Sequence, residues 1–447
     1  MSRLTAFFVR LFEYAIPDPY LFAALLTFVT AISAAVLAPE HTPAQILDGW
    51  YDGIFGILTF AFQMVLILVL GYAVAMSLPV RRVLEWIAAR PRTPVGAVTL
   101  VFVVSAIACW LNWGFGLVTA GLLARSVARR MRIDFGWLTA AAYSGFLVWA
   151  SGLSSSIALA QATPGSALDI VQKVTGTLLP LQATVFARFT VVPTLLVVLV
   201  MAFILRSLAP RDEDIVTGEV AALAGDERPA SDRLRARPGT LAAALENAVA
   251  VNVLLAAGGI WALALRWTHG ISLDIDAMIF ILLILGLLLH PRPIAYARAV
   301  DEAARVSGPL VLQYPLYGGI MGIMTATGLA GVIAQWFDLI ATAHTLPFWS
   351  YLGSIVISLF VPSGGGHWAV QGPFAVPAAA HVGASQAATA MGVAFGEQVA
   401  NMIQPFWCLP VLAITGVPLR RVMAFTVVGF VTAGIIYGLG LLVLVTP

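Results

Sequence analysis

Glu397, Asn401 and Gln404 stand at i, i+4 and i+7 inside a long apolar run, with Gln398 beside the first of them. That spacing puts the three on one face of a helix. Glu397 is the one acidic residue placed deep in an apolar span. A carboxylate at membrane depth is costly, so it is read first as functional, and protonation or pairing is its usual response. Its expected partner is His367 or a bound cation; a protonated structural glutamate is the plain alternative. Pro405 follows, removing a backbone hydrogen bond and freeing carbonyl oxygens. Freed carbonyls and amides can coordinate Na+, and a carboxyl can carry H+. A second polar run, Trp149-Ala150-Ser151-Gly152-Leu153-Ser154-Ser155-Ser156, adds Ser151 and Ser154 to this candidate set. Ordinary hydrogen bonding between helices explains such serines equally well.

Two glycine-rich stretches interrupt other apolar runs. One reads Asn112-Trp113-Gly114-Phe115-Gly116 and the other Ser363-Gly364-Gly365-Gly366-His367-Trp368, with Gln371 one turn on. Glycine is a poor helix former, so such clusters at membrane depth must be surrounded by protein or line a cavity. Broken helices leave bare N–H groups at half-helix N-termini, where the dipole favours an anion. The glycines allow close backbone approach. Asn112 and Ser363 add polar groups at matching places, His367 adds a titratable one, and Trp113, Trp368 and Phe115 offer apolar walls. Paired interruptions in two halves of a polytopic chain are the best pointer to a transporter's substrate site. Tight helix packing by small residues is the competing explanation.

The chain has 447 residues, 60% apolar and 10% charged, against roughly 25% charged in soluble domains. Many runs approach the ~20 residues that span a bilayer. We therefore expect an all-α polytopic membrane protein. A net charge of +2 gives no case for nucleic acid. Cys109 and Cys408 both lie in apolar runs and read as small buried hydrophobes. Residues 1–14 suit a short interfacial helix. There is no phosphate loop, zinc motif or serine elbow, so neither an enzyme nor a cofactor is expected.

The expected spans are 20–38, 53–78, 95–131, 136–160, 183–206, 242–265, 271–289, 307–334, 347–382, 386–413 and 422–445. Two of them, 95–131 and 347–382, are too long for one crossing and carry the glycine stretches at their middles. Treated as hairpins that enter and leave on one side, with the N-terminus in the cytoplasm, they place all Lys and Arg but Lys173, Arg188 and Arg266 inside, out of 24. Treated as single crossings, they move the arginines of 125–132, 206–237 and 292–305 outside. The positive-inside rule selects the hairpins. The legs 95–110 and 117–131 are about 23 Å long at ~1.5 Å per residue, short of a ~30 Å core. Re-entrant hairpins with about nine full crossings are expected, the C-terminus ending outside.

The halves also match. Asn112 and Ser363, Gly145 and Gly396, and Gly165 and Gly416 are each 251 residues apart, and Gln63 and Gln313 are 250 apart. The extra crossing between the halves makes the repeat inverted. The expected organisation is a first repeat over 1–206, a charged cytoplasmic linker over 207–241, a connecting helix over 242–265 and a second repeat over 266–447.

Five motifs carry a resemblance: Asn112-Trp113-Gly114-Phe115-Gly116-Leu117, Pro362 to Trp368, Gln371-Gly372-Pro373-Phe374, Gly396-Glu397-Gln398 and Gln404-Pro405-Phe406-Trp407. With Pro17-Asp18-Pro19 before the first span, the chain resembles the AtoE family of short-chain fatty acid transporters along essentially its whole length. The resemblance implies uptake of butyrate- and acetoacetate-like acids through a bacterial inner membrane. It also implies kinship with the ion transporter superfamily, whose better-known members are homodimers. In those members a transport domain moves against a scaffold domain like an elevator. Relatives with well-understood cation sites carry Ser-Asn-Thr tips, unlike either tip here.

The residues and the resemblance together predict a secondary transporter of a small monocarboxylate in the lipid bilayer, with symport of H+ or Na+. The carboxylate is expected between the two tips. A dicarboxylate carrier, a membrane-embedded acyl-group enzyme predicting a bonded Ser–His pair, and a channel are the other readings. The first of these should need a deep Arg or Lys, which the spans near the tips lack.

Overall fold

A computed structural model describes residues 19–446 except 40, 212, 214, 218–239, 271–272 and 405. The expected interfacial helix at 1–14, residues 17 and 18 of the first motif, most of the linker and the backbone effect of Pro405 lie outside the described residues. All regular structure among the described residues is helical. Six helices there are long and apolar enough to cross a membrane: Tyr20–Leu37, Pro43–Ala75, Pro94–Leu111, Arg188–Ser207, Val249–Thr268 and Leu419–Leu444. Five correspond to expected crossings, and Pro94–Leu111 is the first arm of the first hairpin.

The other expected crossings differ from straight spans. The run 307–334 bends by 81° where Gly308–Ala326 gives way to Leu329–Asp338. Gly328 sits at that bend with φ +75°, a left-handed backbone that glycine adopts without a Cβ clash. The run 271–289 contracts to Ile275–Leu289. The run 136–160 is discontinuous: Phe135–Ser144 tightens to a 3-10 turn over Gly145–Val148, unwinds, and resumes at Ser156–Ala162. The run 386–413 breaks likewise, between Gln386–Ala400 and Leu409–Thr415. Serine, asparagine and glutamine compete with the helix for backbone partners, and both breaks fall on the polar runs.

Both glycine stretches are hairpin turns. Pro94–Leu111 stops at Asn112, and Trp113–Ala128 turns back with Gly116 packed on the backbone of Cys109. The first arm has 18 residues, two more than its expected leg, so arm length no longer separates a re-entrant loop from a crossing. In the second hairpin, Leu346–Ser358 and Gly364–Val382 run antiparallel: Gln371 Nε2 donates to Ser350 O at 2.8 Å, and Ser354 Oγ lies 3.2 Å from His367 Nε2. Each first arm then packs parallel to the following discontinuous helix. Gly145 and Gly152 face Ser105 and Trp110, and Gly392 and Gly396 face Pro347 and Tyr351. A parallel third helix requires that the second arm has returned to the side it came from.

Around these lie the long helices. Gly49 and Gly53 of Pro43–Gly56 pack on Gly322 and Gly318 of Gly308–Ala326, backbone against backbone and antiparallel. Outer faces are apolar and bare: Phe28 is 66% exposed and Leu254 71%. Such belts suit lipid rather than water. The helices of residues 58–162 recur in order over residues 308–415 at close to the 251-residue spacing.

Candidate functional site

The second tip is built from Ser363 and Gly364. Ser363 is extended at φ −152° and ψ 118° and starts the returning arm. Its hydroxyl donates to Tyr314 Oη at 3.0 Å instead of capping its own helix. A Cβ on Gly364 would stand 2.5 Å from the Trp149 ring, 3.0 Å from Ser156 Oγ and 3.2 Å from Glu397 Oε2. Gly365 and Gly366 lie on the rings of Phe60 and Tyr317. Side chains at these glycines would fill the space those rings and the carboxylate occupy.

Asn112 forms the first tip. Its Oδ1 accepts from Phe115 N at 2.8 Å and packs on Gly71, and its buried Nδ2 has no hydrogen-bond partner among the described residues. The Trp113 amide donates to Ser154 Oγ at 2.9 Å, which ties this tip to the first break. The Trp113 ring meets Trp149 at 6.4 Å and Trp407 at 5.1 Å between centroids. Trp149 borders Gly364, and Trp407 Nε1 donates to Pro362 O at 2.8 Å. Two tryptophans thus join the hairpin tips, and they stand at the two breaks.

Polar side chains also cross between the breaks. Gln398 Oε1 accepts from Ala150 N at 3.0 Å and Ser151 N at 3.1 Å, taking up amides that the unwound helix leaves free. Asn401 Oδ1 accepts from Trp149 Nε1 at 2.8 Å, and its carbonyl accepts from Tyr143 Oη at 2.8 Å. Ser151 Oγ donates to Val148 O at 3.0 Å and lies 3.2 Å from Tyr437 Oη. Glu397 differs from all of these. It is fully buried, and neither carboxylate oxygen has a hydrogen-bond partner among the described residues.

Four expectations change. His367 does not pair with Glu397; it sits inside its own hairpin, bonded to Gln371 Oε1 at 2.6 Å and near Ser354. The register of the helix places it one turn past the tip, facing the first arm. Trp368 walls no pocket at the tips, because its Nε1 donates to Leu168 O at 2.9 Å in the connection after the first break. Gln404 leaves the face of Glu397 and Asn401, since the helix ends at Ala400, and its amide donates to Ser358 O at 3.0 Å. Gly114 and Gly116 serve close packing, on Leu68 and Cys109, rather than opening a cavity at that point.

The Ser354–His367 contact is not a nucleophile and base. Gln371 uses its amide hydrogens on Ser350, so its oxygen must accept, and His367 Nε2 must carry the proton. Ser354 spends its own proton on Val393 O at 2.6 Å. A protonated nitrogen cannot take that proton away.

A family model described as "Short chain fatty acid transporter" matches residues 1–444. The chain belongs to that family. A protein of Escherichia coli (strain K12) named "Putative short-chain fatty acid transporter" is 39% identical over 452 residues, covering 99% of both chains. One of the same name from Haemophilus influenzae is 36% identical over 446 residues, again over 99% of each. Two solved structures share the fold. The Alcanivorax borkumensis YdaH transporter matches with a TM-score of 0.62 and 17% identity over 96% of this chain and 98% of its own. Neisseria gonorrhoeae MtrF, described among antimetabolite efflux pumps, matches at 0.55 and 14% over 99% and 98%. This member of the short-chain fatty acid transporter family is therefore a membrane transporter and not an enzyme.

From the sequence, Trp149, Trp407, Tyr314 and Phe60 had no role, and Ser156 stood between a functional and a packing reading. A signal for the two tryptophans was present: each stands within three residues of a polar break, Trp149 before Ser151 and Trp407 after Gln404. Tyr314 and Phe60 carry no such signal, because only the packing of distant helices brings them to the second tip.

Proposed function

We propose that the chain carries short-chain monocarboxylates of the butyrate and acetoacetate class across a bacterial inner membrane, by symport with H+ or Na+. One observation carries the reading: an unpartnered, fully buried carboxylate, Glu397, borders Gly364 where both hairpin tips meet both helix breaks. A negative charge there needs a cation, and a cation moving with an anionic substrate lowers the charge burden of crossing. Of the two cations, H+ fits the surroundings better. The nearby oxygens of Gln398, Asn401 and Ser154 already accept N–H groups, while Glu397 alone accepts nothing. The substrate carboxylate is assigned to the N–H groups of Gly364 to Gly366 at the start of the returning arm, because the Ser363 N–H donates to Val361 O and its hydroxyl to Tyr314. Its short tail is assigned to Trp113, Trp149 and Trp407.

An elevator of two inverted repeats, 1–206 and 266–447, fits the architecture. Pro43–Ala75 and Gly308–Ala326 occupy equivalent places in the halves and run antiparallel, as inversion demands. The glycine-packed long helices suit a scaffold domain. The hairpins and discontinuous helices suit a moving one. The N-terminus is placed in the cytoplasm, the C-terminus in the periplasm, and two copies are taken to form a dimer.

Proteoliposomes test this with labelled butyrate, acetoacetate and succinate under separate H+ and Na+ gradients. Saturable uptake of the two monocarboxylates, driven by one gradient, is expected. Glu397→Gln should abolish gradient-driven uptake while leaving the melting curve intact. Full uptake by that variant at every pH removes Glu397 from the mechanism, and no saturable uptake by the wild type removes the reading.

A further inference from the structure

A cavity of about 840 Å³ opens at a rim that includes the exposed Asp52, Lys173 and Asp276. Its walls come from the beginning of the second expected crossing, the connection after the first break, the bend near Gly328 and the returning arm of the second hairpin. The arginine count assigns every one of those segments to the outer side. The cavity is therefore the outer vestibule of the carrier proposed above, on which this inference rests.

Phe60 lines that vestibule yet is only 1% exposed. Its other side lies on the second tip. A Cβ on Gly365 would overlap the ring, standing 2.6 Å from Cζ. The ring centroid is 6.0 Å from that of Tyr314, whose hydroxyl accepts the Ser363 hydrogen bond. On the side of the second tip, Phe60 thus meets Gly365 and Tyr314 meets Ser363. Tyr314 is anchored through its Ser363 hydrogen bond. Phe60 borders the cavity without a polar group to anchor it, and its Cα–Cβ bond has other staggered wells.

We propose that Phe60 is the outer gate of the substrate site. The ring closes the passage by resting on Gly365. It opens by swinging into the vestibule. Gly365 is glycine because any side chain there would hold the gate ajar.

Labelling of Ser363→Cys by a membrane-impermeant methanethiosulfonate from outside tests the gate without relying on transport. The native thiols Cys109 and Cys408 are buried and give a quiet background. Phe60→Ala should speed labelling about tenfold, a barrier change near one rotamer's worth, and Phe60→Trp should slow it. Gly365→Ala should mimic Phe60→Ala with the ring still present. Phe60→Leu and melting curves guard against misfolding. Labelling rates indifferent to both positions overturn the gate. Wild-type protein that takes up no fatty acid defeats the carrier reading and leaves the labelling result standing on its own.

Discussion

Two buried carboxyls, Asp169 and Glu397, are handled in different ways. Asp169 lies in the connection before Arg188–Ser207 and caps the short helix Ile170–Thr175, with Oδ1 accepting from Gln172 N at 3.0 Å. Its buried Oδ2 has no hydrogen-bond partner among the described residues. Burial pushes the carboxyl up to about 6, against the pull of the Gln172 amide and the Lys173 ammonium. The native state therefore binds this proton more tightly than the unfolded chain, whose carboxyl titrates near ~3.9. Stability from this group is complete below the unfolded value and falls as pH rises toward 6, then levels off. Asp169→Asn keeps an N-cap oxygen and cannot ionise. The variant should melt with no Asp169-linked drop between pH 4 and 6, and above the wild type at pH 7.5; equal slopes for the two proteins would remove Asp169 as the source. Glu397 is different: among the described residues neither of its carboxylate oxygens accepts a hydrogen bond.

Helix-to-helix packing is decided by where a Cβ fits. Gly322 has no room for one, because it would meet Gly49 O and stand 2.8 Å from Gly53 Cα, all backbone that cannot yield. Gly258, in the middle of Val249–Thr268, has nothing within 4 Å. Gly322→Ala should cost ~1–3 kcal/mol, the range for overpacking. Gly258→Ala should be neutral or gain ~0.5–1 kcal/mol of helix propensity. Thermal melts in detergent separate the two, and matching melts would show that the Gly49–Gly322 crossing is not a fixed joint. The same scale shows what was legible beforehand. Asn112 and Ser363 marked true hairpin turns, since a glycine cluster in an overlong apolar run has few other solutions. The polar runs at Ser151 and Asn401 were visible, but hydropathy alone reads them as continuous spans, and the breaks emerge only once side chains such as Gln398 supply the missing backbone partners. The direction of Trp368, toward Leu168, and the pairing of His367 with Gln371 were not legible. Both depend on which distant segment packs on that arm. The stretch 161–182 falls between expected crossings with no expected structure of its own, yet Gln161 pins it by bonding Leu168 O at 2.7 Å and Val171 N at 3.1 Å.

For the whole molecule, orientation is a question of parity that the proposed arrangement answers from its arginines. The arginines place the connections at 79–94, 207–241 and 291–306 on one side. The vestibule rim, at Asp52, Lys173 and Asp276, gathers connections assigned to the other. Two hairpins contribute no net crossing, so the nine or so crossings proposed would put the termini on opposite faces. Converting one hairpin to a single crossing brings the termini to the same face; converting both restores opposite faces but moves the linker outside. Reporter fusions therefore test three places at once. Alkaline phosphatase should be active when fused after residue 446 and inactive within 207–241, and green fluorescent protein should glow at the N-terminus and within the linker. Active phosphatase in the linker, with the N-terminus still inside, would put the vestibule walls at 163–174 and 321–331 on the side opposite Asp52 and Phe60, and so remove the vestibule as a one-sided opening. Inactive phosphatase at the C-terminus would break the parity on which the opposed hairpins depend. With the expected pattern, the two tips approach Glu397 from opposite faces of the bilayer. A single buried carboxylate can then be reached alternately from either side, which is what a coupled carrier requires of its cation site.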